Sequence, residues 1–144
     1  MAGRTETPPP EIDGCKLSYP APYILLVTID REKQMNSIPY KLHWQMDQVF
    51  NWFDGEPTLR VAVVTGQGKR AFCAGQDLIE LGSRTQEALA REPWVGNHPP
   101  GGFAGISRRL GKKPIVAAVN GYALGGGFEI TLNWSVFSSL HGRA

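Results

Sequence analysis

The chain has 144 residues, of which 42% are hydrophobic and 19% charged, enough for one compact domain with its own core. Its formal net charge of +2 comes from scattered Lys and Arg with no long basic run, which leaves small acidic ligands open and gives nucleic-acid binding no footprint. Cys15 and Cys73 form no CxxC pair and share no ligand spacing with His43, His98 and His141, so no metal site or disulfide framework is expected and both read as reduced thiols of a cytoplasmic protein.

In chain order, residues 1–14 are rich in Pro, Glu and Thr, offer little apolar surface to offset the entropy of ordering, and are expected to be a mobile arm before a domain over 15–144. The same segment lacks the apolar core of a signal peptide, and its acidic residues argue against a mitochondrial presequence. No apolar stretch reaches membrane-spanning length. Residues 23–30, 59–66 and 114–121 are apolar, β-branched runs that read as buried strands. Between the first two, Ser37 can cap a helix, Pro39 suits its first turn and Gly55 can end it, while Leu42, Met46, Val49, Phe50 and Phe53 fall on one face. That aromatic stripe reads as core. Strand, helix and strand, with both strands apolar almost throughout, predict an α/β fold with a parallel sheet covered by helices. Residues 82–102 read as a flexible loop with one helical turn around 85–90, residues 103–113 as a short helix ending before Pro114, and residues 128–137 as helix-like.

The stretch NGYALGGGFE, residues 120–129, places three glycines directly after a predicted strand. They do not spell G-x-G-x-x-G and no lysine completes a P-loop; TGQGKR, residues 65–70, fails as a P-loop too. Two readings stay open. A tight turn or a close packing point would need small residues. A strand, a glycine turn and a helix would also leave the N–H groups of the helix's first turn free to stabilise a negative oxygen. One amide is seldom enough, and KRAFCAGQDL, residues 69–78, is the segment in which to look for a second donor.

AFCAGQDL and KKPIVAAVNGYALGGGFE together resemble the two oxyanion-hole motifs of the crotonase, or enoyl-CoA hydratase/isomerase, superfamily. VTIDREKQMNSI, residues 27–38, is similar to the family's N-terminal strand and CoA-contacting turn, so the resemblance runs from about residue 17 to about residue 133. It implies the N-terminal part of a crotonase-type ββα spiral, ending before the C-terminal helices. It also implies an acyl-CoA thioester as partner, its oxygen held between the backbone amides of Gln76 and Gly126. Glu129 is placed as the acid/base that handles water, a role that fits a carboxylate beside a low-dielectric acyl pocket; the bland alternative is a Glu favouring the start of a helix. Lys33, Gln34, Met35, Ala71, Ala74 and Asp77 would line the CoA moiety. Lys69 and Arg70 could meet phosphate or simply form a solvated face. No cofactor is implied, because coenzyme A is part of the substrate.

The family's second glutamate, its closing helices and its trimer or hexamer contacts belong to later sequence, so an apolar edge is expected to lie exposed and the durability of the fold is open. After Asn133 the family tends to a Cys-Asp pair where this chain has Trp134 and Ser135. Residues 42–66 and 72–82 resemble the fungal branch associated with siderophore or toxin side-chain assembly, including mevalonyl-CoA hydratases, whose full-length members are often peroxisomal. Two function classes follow: an enoyl-CoA hydratase or isomerase, or a non-catalytic truncated product that binds CoA or does not fold durably.

Overall fold

A computed structural model of the chain describes residues 5–83, 87, 91–92 and 96–132, and the backbone of 136–139. The strands are β1 (Cys15–Ser18), β2 (Ile24–Ile29), β3 (Val61–Gly66), β4 (Ala71–Cys73), β5 (Ile115–Val119), β6 (Tyr122–Ala123) and β7 (Val136–Ser139). The α-helices are α1 (Tyr40–Gly55), α2 (Leu78–Ser83) and α3 (Gly126–Leu132). The main sheet has the order β1-β2-β3-β5-β7; β1 pairs antiparallel with β2 and every other pairing is parallel. β4 and β6 form a second, two-stranded parallel sheet.

This topology is a repeated unit. β3, β4 and α2 form one ββα turn, and β5, β6 and α3 form the next, so β5 stacks on β3 in the main sheet while β6 stacks on β4 in the small one. Loops at equivalent places in successive turns are thereby brought side by side, which puts the β4–α2 and β6–α3 connections next to each other.

The three apolar runs form strands as expected. Leu25, Val27 and Ile29 alternate inward on β2, Ala62 and Val64 on β3, and Phe50, Phe53, Met46, Leu42 and Val49 of α1 pack on them to make the core. Pro39, not Ser37, is the residue capping α1, and no side chain bonds the cap. The orphan Tyr40 N–H instead donates to Glu80 Oε2 of α2 at 2.8 Å, a cap supplied across 40 residues of sequence.

Two expected helices differ. Residues 103–113 make only a 3-10 turn at Phe103–Gly105, because Gly102, Ala104 and Gly105 take left-handed backbone, with φ of 79°, 55° and 67°. The segment is pinned to α1: Gly101 N–H donates to Asp47 Oδ1 at 3.1 Å, Arg109 Nη2 pairs with Asp54 at 2.6 Å, and Arg108 N–H closes back on the Gly101 carbonyl. The helix read over 128–137 stops at Leu132, and Val136–Ser139 is a strand paired with β5, because the next turn of the repeat claims it for the sheet.

In the N-terminal arm, Glu56 accepts from the Glu6 and Thr7 amides and the Thr7 hydroxyl, Trp52 Nε1–H donates to Thr7 Oγ1, and Ile12 packs on the core. Of the expected 82–102 loop, residues 84–86, 88–90 and 93–95, including most of the anticipated helical turn, lie outside the described residues. No helix among the described residues is long and apolar enough to cross a membrane. Leu78, Ile79 and Leu81 of α2, and Tyr122, Leu124, Phe128 and Leu132 of the last ββα turn, stand exposed.

Candidate functional site

The β4–α2 loop begins where Leu124 N–H donates to the Cys73 carbonyl at 3.0 Å, locking the end of β4 to the chain just after β6. Gly75 follows with φ of 100°, and a Cβ there would lie 3.0 Å from the Leu124 carbonyl oxygen and 3.5 Å from the Gly126 nitrogen. The two motif loops therefore touch at backbone level.

Gln76 forms an isolated parallel bridge with Ile38. Ile38 N–H donates to the Gly75 carbonyl at 2.8 Å and Asp77 N–H to the Ile38 carbonyl at 3.0 Å. That pairing uses the groups flanking Gln76 and turns its own N–H to the other side, where it meets no acceptor among the described residues.

Across the junction each glycine answers to a different constraint. Gly125 has φ of 53°, which L side chains rarely adopt. A Cβ on Gly126 would overlap the Phe103 ring, and one on Gly127 would strike the Cys73 carbonyl. Around the turn, Gly127 N–H bonds the Leu124 carbonyl and both Phe128 and Glu129 N–H groups bond the Gly125 carbonyl, leaving Gly126 N–H without an acceptor among the described residues. The glycines thus permit a tight turn and close packing, and that packing leaves the Gly126 N–H without an acceptor next to the β4–α2 loop.

Behind Gln76 lies a residue the sequence reading passed over. His43, fully buried on α1, accepts from Ala104 N–H at its Nδ1, 2.9 Å away, and faces Gln76 Oε1 with its Nε2 at 2.8 Å. A backbone N–H aimed at Nδ1 requires a lone pair there, so the ring proton sits on Nε2 and is donated to Gln76. Burial, opposed by the Gln76 bond and reinforced by His98, brings the His43 pKa down to about 4, and the ring is neutral near pH 7. The Phe103 and His98 rings lie 4.4 and 4.7 Å from it, edge to face. A lone histidine in an apolar helix stripe gave no signal of this role.

Glu129 lies in the first turn of α3 and is exposed among the described residues. His98 is held below its usual pKa by burial and by Arg108, while the Glu129 charge pulls the other way, so the two side chains are within electrostatic range. The expected CoA-lining residues fall into one neighbourhood. Lys33 and Gln34 are exposed on a 3-10 turn, Met35 follows in left-handed backbone, and the Met35 carbonyl accepts from Ala74 N–H at 3.1 Å. Ala71 is bound to the same turn through the buried Asn36, whose Nδ2 donates to the Ala71 carbonyl at 2.8 Å. Asp77 has its carboxylate engaged within the fold: Oδ2 pairs with Arg31 at 2.7 Å and Oδ1 accepts from Ile79 and Glu80 N–H as the cap of α2.

Cys15 and Cys73 are both buried, and burial pushes each thiol up to about 12, which removes them from nucleophilic chemistry. No group of three or more His, Cys, Asp or Glu among the described residues is arranged to hold a metal ion. A separate cavity of about 310 Å³, lined by Asp47, Asn51, Asp54, Arg108 and Arg109 among others, contains none of the residues of the two motif loops.

Known proteins carry the same arrangement of sequence and fold. The enoyl-CoA hydratase/isomerase family profile matches residues 22–134. Mevalonyl-coenzyme A hydratase SIDH of Beauveria bassiana is 46% identical, over 86% of this chain and 45% of the relative. Carnitinyl-CoA dehydratase of Escherichia coli K12 is 44% identical, over 76% of this chain and 39% of the relative. The crystal structure of carnitinyl-CoA hydratase from Mycobacterium avium superposes with a TM-score of 0.73 at 30% identity, covering 86% of this chain and 45% of that one. The chain thus spans a little under half the length of the curated relatives it matches. With two stacked ββα turns, a family match over most of its length and close fungal and bacterial relatives, this chain belongs to the enoyl-CoA hydratase/isomerase, or crotonase, family and has the α/β fold of about half a full-length member.

Proposed function

We propose that the chain grips the thioester oxygen of an acyl-CoA between the Gln76 and Gly126 amides, and that this grip serves addition or removal of water at an enoyl-CoA double bond. The observation that carries the reading is the pair of unspent N–H groups on two loops that touch at Gly75 and Gly126. Backbone donors fixed in advance stabilise an enolate oxygen without reorganising as charge develops. In this reading Glu129 moves the proton to or from the attacking water, and Lys33, Gln34, Met35, Ala71 and Ala74 flank the CoA moiety, with Asp77 holding the loop by its cap and its Arg31 pair. The similar proteins from Beauveria bassiana and Escherichia coli, a hydratase and a dehydratase of CoA thioesters, support this reaction class.

A second reading, acyl-CoA binding without turnover, is favoured by the exposure of Glu129. Loss of crotonyl-CoA ultraviolet absorbance separates the two. Turnover that falls on Glu129→Gln supports the enzyme, and turnover unchanged by that substitution removes Glu129 from the mechanism. No turnover, with a melt that rises on adding acetoacetyl-CoA but not free CoA, supports the binding reading.

A further inference from the structure

We propose that His43 is a positioning residue that fixes the separation of the Gln76 and Gly126 amides, holding Gln76 through its side chain and Gly126 through Phe103; the proposal rests on the acyl-CoA reading above. Gln76 Nε2 is buried and has no partner among the described residues, so the bond from His43 Nε2–H to Oε1 is the hydrogen bond that sets the Gln76 side chain. The direction of that amide is not free to reverse. Ala104 N–H occupies the Nδ1 lone pair, the ring proton is therefore on Nε2, and only an oxygen can face it.

The other face of the device is Phe103. Its ring meets His43 at 4.4 Å between centroids, and the same ring covers Gly126 so closely that a Cβ there would push it aside. The turn that carries Phe103 is held by the Ala104 bond to the same imidazole. One buried ring thus contacts the supports of both amides, its donor on one side and its acceptor and edge on the other. Holding donors at a fixed separation is what an oxyanion site requires, because a displacement of an ångström costs much of their effect.

Two substitutions of similar size separate positioning from simple packing. Glutamine reaches as far as Nε2 and can still donate to Gln76, whereas asparagine reaches only as far as Nδ1 and can satisfy Ala104 alone. The probe is butyryl-CoA labelled with carbon-13 at the thioester carbonyl, whose infrared stretch reports polarisation of that oxygen, with free CoA as the control. We expect the wild-type chain to lower the bound carbonyl frequency, His43→Gln to keep most of the shift, because Ser107 and Asp47 also hold the Phe103 turn, and His43→Asn to lose most of it, because the Gln76 side chain then has no partner left. His43→Asn is expected to bind butyryl-CoA about tenfold more weakly, the size of one hydrogen bond's net contribution, with free CoA affinity unchanged. Equal behaviour of the two variants would overturn the assignment. Should neither variant fold, nitrogen-15 shifts of the wild-type ring decide it: a proton on Nε2 that responds to butyryl-CoA and not to CoA supports the proposal, and a proton on Nδ1 overturns it. Absence of any carbonyl shift in the wild-type chain is a different failure, that of the acyl-CoA reading, and the His43 assignment falls with it.

Discussion

Gly126 and Gly127 are adjacent, yet the side chain each excludes would meet a different obstacle. A methyl on Gly126 meets the Phe103 ring, which can tilt, so Gly126→Ala is expected to fold while moving the amide. Loss of one oxyanion donor costs roughly 10²–10³ in rate where turnover is measured, and acetoacetyl-CoA affinity by calorimetry should fall with it. A methyl on Gly127 meets the Cys73 backbone carbonyl, which cannot move without breaking its bond to Leu124. Gly127→Ala should therefore destabilise the fold by about 1–3 kcal/mol, read as a lower urea midpoint. The triple glycine is legible in the sequence as a tight turn after a strand, but the two obstacles are not, since Phe103 and Cys73 arrive from other turns of the chain.

The β4–α2 connection and α1 show what a sequence carries locally and what it does not. Strands β2, β3 and β5 and the buried face of α1 follow from apolar runs and helical spacing, and their assignment required no partner. The cap of α1 comes from Glu80 and the cap of α2 from Asp77, which also binds Arg31, so one end of each helix is fixed by a residue distant in sequence or in another role. Residues 103–113 read as a helix in sequence but make only a short turn with left-handed backbone, because His43 and Asp54 of α1 recruit the Ala104 N–H and Arg109, and Asp47 holds Gly101 just before it. For Asp77 we expect Asp77→Ala to cost about 2 kcal/mol in chemical denaturation, from lost capping together with a largely buried Arg31 that keeps its bond to the Ser37 carbonyl but loses its carboxylate. Asp77→Ser, which caps but carries no charge, should recover about 1 kcal/mol of that.

At the scale of the whole molecule, stability should depend on pH in two windows. His43 is neutral in the fold, with a pKa of about 4 set by burial, but in the unfolded chain it protonates near 6.5. Its contribution is complete above about pH 6.5 and is lost as pH falls toward 4, about 3 kcal/mol in all. His98, also lowered, adds in the same direction. Burial raises the Glu56 pKa, but the bonds from Glu6, Thr58 and Thr7 outweigh it and bring the carboxyl to about 2. Its contribution is present above about pH 4.5 and lost as pH falls through 2. Unfolding free energy measured against pH should therefore begin to fall near 6.5, and His43→Gln should reduce the fall in that upper window to the His98 part while leaving the lower window unchanged. The stacked ββα turns place the two motif loops, and with them the Gln76 and Gly126 amides, side by side. A proton–nitrogen correlation spectrum recorded while acetoacetyl-CoA is titrated observes them directly. If these amides grip the thioester oxygen, the Gln76 and Gly126 amide protons move downfield with acetoacetyl-CoA and not with free CoA. Saturating acetoacetyl-CoA that leaves both resonances where they were would contradict that grip.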